Sequence, residues 1–86
     1  MLKLGKVVAT PGALASIPDI CIYAALGRHM LGDWGNVCEE DKRLNDYAAA
    51  HGERVLSSYC SADGTKFWII TEPDRSYTTV LLPDEY

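Results

Sequence analysis

At 86 residues, 48% hydrophobic and 23% charged, the chain has the composition of a globular domain with room for one core. That balance excludes intrinsic disorder, and no run approaches the ~20 apolar residues of a membrane-spanning helix. A net charge of −4, with eight Lys and Arg spread along the chain, argues against a nucleic-acid-binding face and permits a partner with a basic surface.

Lys6-Val-Val-Ala9 is a short β-branched run suited to an edge strand. Thr10-Pro11 reads as a helix cap followed by proline at the first helical position, where a missing N–H costs nothing. The helix that follows, about Gly12 to Ser16, is brief because Pro18 cannot continue it. A second helix, from Asp19 to Leu31, is apolar on nearly every face as far as Gly27. Such a helix is either sealed within the monomer or forms a dimer interface, and the pattern leaves both open.

After a tight turn at Gly32-Asp-Trp-Gly35, Asn36 is placed to cap a third helix, with Glu39 completing a capping box. Val37, Leu44, Tyr47, Ala48 and His51 recur at helical spacing and are assigned to the core face. Glu39, Glu40, Lys42, Arg43 and Asp46 fall mostly on the other, with Glu39 and Arg43 spaced for an i,i+4 ion pair. Gly52 supplies the left-handed residue past the helix end.

Beyond Gly52 the period changes to that of strands. Arg54–Cys60 and Thr65–Thr71 flank Asp63-Gly64, a hairpin turn, and Tyr77–Leu82 returns as a third strand after Glu72-Pro-Asp-Arg75. Phe67 to Ile70, apolar on both faces, belongs in the middle of the sheet. The expected fold class is α+β in a single domain, 1–86. Two or three N-terminal helices pack on one face of a C-terminal three-stranded antiparallel β-meander, with room for an extra N-terminal edge strand.

The chemistry-bearing residues are sparse. Cys21, Cys38 and Cys60 form no CxxC pair, and neither His29 nor His51 stands at a zinc-like interval from them, so reduced thiols are expected. Both histidines lie near helix ends, where capping or core packing explains them. Glu39, Glu40 and Asp41 diverge from one exposed first turn, whereas acid/base catalysis needs carboxyls that converge from different elements. Trp34 is either a lid on the core or an exposed anchor, and Arg75 has Asp74, the third helix or a partner to pair with. Two early lysines and Ala13-Leu-Ala15 imitate a secretory signal, but Thr10-Pro-Gly12 interrupts the apolar run, and a cytoplasmic location is expected.

Gly32-Asp-Trp-Gly35, Glu40-Asp41, Asn45, Ser58-Tyr59, Asp63-Gly64, Trp68-Ile-Ile-Thr-Glu72, Asp74-Arg-Ser76, Thr78-Thr79 and Leu82-Pro83 carry a resemblance. Together they resemble a family of small uncharacterised proteins of bacterial plasmids, phages and other mobile elements. These are sometimes mislabelled as the methylase subunit, subunit M, of a type I restriction endonuclease. The likeness runs from Leu4 to Tyr86, is most specific in the second half, and departs most between Ala15 and Ala25. A methylase is excluded here, since the chain has no cofactor-binding βαβ unit.

What the resemblance implies is a class of work: a non-enzymatic, protein-binding inhibitor that blocks a host CRISPR effector or restriction enzyme. Partner contacts are expected at Asp33, Trp34, Glu39, Glu40, Asp41 and Arg75, without catalytic residues, cofactor, metal, membrane or direct nucleic-acid contact, and as a monomer or homodimer. The alternative is a small regulatory or accessory module, antitoxin-like or concerned with plasmid maintenance. A small enzyme ranks third.

Overall fold

Three helices precede three of the four strands in the computed structural model, which describes residues 1–86. The order is β1 (Lys6–Ala9), α1 (Pro11–Ser16), α2 (Asp19–Met30), α3 (Glu39–His51), β2 (Val55–Cys60), β3 (Lys66–Thr71), β4 (Tyr77–Leu81) and a 3-10 turn over Pro83–Glu85. The fold is α+β, with the helices N-terminal to an antiparallel meander. The short N-terminal strand also forms, and it pairs parallel to β4, giving a mixed four-stranded sheet in the order β1-β4-β3-β2. A parallel neighbour needs a long crossover, which the helical layer provides.

Local signals set most boundaries. The Thr10 hydroxyl accepts from the Ala13 N–H at 3.2 Å, and Pro11 opens α1 as expected. Gly52 takes the left-handed conformation at φ 70° and ends α3. Tyr59, Phe67, Ile69 and Val80 point from the sheet into Ala13, Ile17, Ile22, Ala25 and Leu26, forming the main core. Each of the large aliphatic and aromatic side chains so buried contributes roughly 1.5–3 kcal/mol. A second cluster joins Leu2, Trp34, Ala48 and Val55. The reverse face of the sheet is partly covered by the 3-10 turn. It brings Tyr86 edge-on to Trp68 at 5.8 Å, and Arg54 donates to the Tyr86 hydroxyl at 2.8 Å.

Helix α3 departs from expectation in three ways. Asn36 does not cap it: the Asn36 N–H donates to the Ser58 carbonyl at 2.7 Å and Ser58 N–H to the Trp34 carbonyl at 3.1 Å. Residues 34–36 therefore lie along the outer side of β2, and the helix begins beyond Cys38 with no side-chain cap. Gly35 is required there, since its φ is 75° and a Cβ would collide with the Ser58 carbonyl and the Tyr59 ring. Further along, the Asn45 amide donates to the Leu56 carbonyl at 2.8 Å and accepts the Leu56 N–H at 3.3 Å. Those two hydrogen bonds turn Asn45 and Ala48 inward, so Leu44, Tyr47 and His51, assigned to the core by spacing, face solvent. Glu39 pairs with Lys42 at 3.5 Å, one residue short of Arg43.

Arg75 is the one non-glycine residue with positive φ, at 60°. Its guanidinium donates to the carbonyls of Ala48 (2.9 Å), Ala49 (3.4 Å), Glu53 (2.7 Å) and Glu72 (3.1 Å). A side chain from the β3–β4 turn thus closes the C-terminal carbonyls of α3. Arg75→Ala is expected to lower unfolding free energy by about 2 kcal/mol in urea titration, and Arg75→Lys to recover less than half, since one ammonium cannot span four carbonyls.

Candidate functional site

Of the six residues expected to meet a partner, three are displayed together and two are withdrawn. Glu39, Glu40 and Asp41 stand exposed on the first turn of α3, where the helix dipole favours negative charge. Asp33 is exposed but engaged: Arg28 donates to it at 2.7 and 3.2 Å, and the Gly35 N–H at 3.2 Å. The Arg28 bond holds its carboxyl below the usual carboxylate range against the opposing effect of burial, and the Gly35 N–H adds to the lowering. Trp34 is a lid and not an exposed anchor. It is 4% exposed, its ring meets His29 edge-on at 5.6 Å, and its Nε1–H donates to Asp46 at 2.9 Å. Arg75 pairs with no carboxylate, its donors being taken up by main-chain carbonyls.

Leu44 and Tyr47 replace Trp34 at the surface. They are 60% and 55% exposed, one turn apart, and continue directly from Glu40 and Asp41 along one side of α3. His51 stacks on Tyr47 with ring centroids 3.9 Å apart and donates through Nδ1 to the Tyr47 carbonyl at 2.8 Å, which holds the phenol in place. Between this helix face and β2 lies a shallow groove of about 240 Å³ lined by Val37, Asp41, Leu44, Asn45 and Leu56. The arrangement is an acidic turn running into an apolar and aromatic ridge. Hydropathy alone places Leu44 and Tyr47 inside; the available contrary signal was Asn45, whose amide suits an exposed strand backbone.

His29 belongs to the interior. It is fully buried, with Nδ1 at 2.5 Å from the Ser57 hydroxyl and Nε2 at 2.8 Å from Thr71. Thr71 in turn lies 2.8 Å from the Thr78 hydroxyl, which donates to the Leu4 carbonyl at 2.7 Å. Donor counting orients the whole chain. Thr78 gives its proton to Leu4, so Thr71 donates to Thr78, His29 Nε2–H donates to Thr71, and Ser57 donates to Nδ1. Burial first, and the positive charge of Arg75 second, push the imidazole down to about 4, so it is neutral at pH 7. The tie binds α2, three strands and the N-terminal segment, and no buried side-chain polar atom is left without a partner.

The three cysteines are free, Cys21 half-buried and Cys38 and Cys60 exposed. No three of the His, Cys, Asp and Glu side chains converge as metal ligands would, and no helix is long and apolar enough to cross a membrane. Compared with protein-family models, curated proteins and solved structures, the chain matches none.

Proposed function

We propose that this chain is a non-enzymatic inhibitor of the mobile-element kind its sequence resembles, working in the cytoplasm by binding a host defence complex, a restriction enzyme or CRISPR effector. The observation that carries this reading is the outer face of α3, where Glu39, Glu40 and Asp41 lead into exposed Leu44 and Tyr47. Carboxylates on a rigid helix steer association toward a basic surface, and an adjoining Leu–Tyr pair supplies the desolvated anchor that charge alone lacks. Enzymes that handle DNA carry such basic channels, so this face competes for the surface that nucleic acid would occupy.

The test is cleavage of cognate DNA by purified restriction endonucleases and CRISPR effectors in the presence of the chain at micromolar concentration. Cleavage by at least one is expected to fall. Tyr47→Ala is expected to raise the inhibitory concentration roughly 10- to 100-fold, as for an interface anchor. Glu40→Lys with Asp41→Lys is expected to slow association and flatten its salt dependence. Unchanged cleavage across the panel, or inhibition indifferent to both variants, contradicts the reading.

A further inference from the structure

The two edges of the sheet are treated differently. On β2 every outward main-chain group between Leu56 and Ser58 has a partner, Asn45 serving Leu56 while the Trp34 and Asn36 main chain serves Ser58. On β1 nothing comparable exists. The Lys6 and Thr10 N–H groups donate to the Ser76 and Val80 carbonyls of the β4 segment, at 3.1 and 3.0 Å. By strand alternation, Val7 and Ala9 then turn their N–H and C=O groups outward. Val7 and Val8 are 44% and 37% exposed, and this edge carries no proline or bulge to discourage pairing. Beside it runs an apolar groove of about 360 Å³ lined by Leu14, Ile22, Tyr23, Leu26 and Val80, with Asp19 at its rim.

We propose that β1 is a self-association edge: it pairs antiparallel with β1 of a second copy about a two-fold axis, joining two four-stranded sheets into one. The backbone sets the register. Outward residues must oppose outward residues, and of the registers that allows, Val7 opposite Ala9 of the other copy uses both outward residues of each strand, each pair exchanging both main-chain hydrogen bonds. Val8 then faces Val8 across the axis, with Cα atoms about 4.5 Å apart in a non-hydrogen-bonded pair.

The charges select this occupant and this direction. The register sets Lys6 opposite Thr10 of the other copy. The Thr10 hydroxyl donates to the Glu85 carboxylate at 2.5 Å, and the same carboxylate accepts the Gly12 N–H at 3.1 Å. A cation at one end of β1 therefore meets a fixed anion at the other end, twice by symmetry, whereas parallel pairing brings Lys6 to Lys6. Exposed Tyr23 of α2, in the groove beside β1, adjoins the seam. With Val7, Val8 and Leu14 it makes a seam of few side chains, short of the ~800 Å² per partner of a standard interface, so association is expected at ~10–100 µM.

Light scattering on the full chain from 1 µM to 1 mM, in concentrations chosen around that range, reads the prediction. The mass is expected to climb from the 9.5 kDa of one chain toward twice that value. Val7→Pro removes an outward N–H while leaving the bonds to β4, and is expected to hold the chain at monomer mass. Val8→Cys in a Cys38→Ser, Cys60→Ser background tests the register without disturbing the ladder, and is expected to give a covalent dimer on mild oxidation. A constant mass of 9.5 kDa over the whole range overturns the proposal, as does a dimer that Val7→Pro leaves intact or that Val8→Cys fails to cross-link.

Discussion

Replacing Trp34 with alanine is expected to cost about 3–5 kcal/mol and to lower the melting temperature by at least roughly 12 °C. The indole packs against Leu2, Ala48 and Val55, where the N-terminal segment, α3 and β2 meet, and is 4% exposed. Removing it opens a cavity that the surrounding backbone cannot close, because residues 34–36 are fastened to Ser58 on both sides. It also leaves Asp46 without the Nε1–H at 2.9 Å and uncovers the edge contact with His29. Trp34→Phe keeps a ring and loses the donor, and about 1–2 kcal/mol is expected. Thermal and urea unfolding followed by circular dichroism measure both. A loss below about 1 kcal/mol for the alanine variant would return Trp34 to the surface as a binding anchor.

Acid is expected to destabilise the fold well above the carboxylate range, through His29. Its imidazole sits at about 4 in the native state, against an ordinary value of 6.5. The native state therefore binds fewer protons than the unfolded chain between those limits. The contribution is fully present above pH 6.5, falls as pH drops toward 4, and amounts to about 3 kcal/mol over that window. Protonation at Nδ1 also sets two donors, Nδ1–H and the Ser57 hydroxyl, against each other and forces the serine proton to turn away. Urea titrations at pH 7.5 and pH 4.5 are expected to show this loss, and His29→Gln is expected to abolish most of the pH dependence between them. Asp33, Asp63, Asp74 and Glu85, each held below the usual carboxylate range chiefly by a side-chain hydrogen bond, add a separate loss at lower pH. A slope in the upper window that survives His29→Gln contradicts the assignment.

The signals that read correctly from sequence were those whose cause is local. Thr10-Pro11, Gly52 and the Asp63-Gly64 turn act through the dihedral angles of one or two residues, and Phe67–Ile70 declared a central strand because both faces were apolar. The misread features all depend on partners distant in the chain. Asn36 has the chemistry of a cap, yet its main chain belongs to Ser58, twenty-odd residues on. The face of α3 was set by two hydrogen bonds from Asn45 to Leu56, which outweigh the hydropathy of Leu44 and Tyr47. The acidic half of the candidate surface was therefore legible, and its apolar half was not. Arg75 beside Asp74 looks like an ion pair, and only the fold shows four carbonyls within its reach.

Trp34, His29 and Arg75 hold the fold, while the outer face of α3, exposed at Glu39–Asp41, Leu44 and Tyr47, is the surface proposed to meet a partner. The most direct measurement is protection in living cells. Hosts armed with a restriction or CRISPR system are challenged with unmodified phage while expressing the chain or its Leu44→Ala, Tyr47→Ala variant. The wild-type chain is expected to raise plating efficiency at least about tenfold, as 1.4 kcal/mol of effective inhibition would. The variant, whose lost side chains are mostly exposed, is expected to melt normally and protect no better than an empty vector. Equal protection from both, or none from either against every system tried, would contradict recognition through this helix.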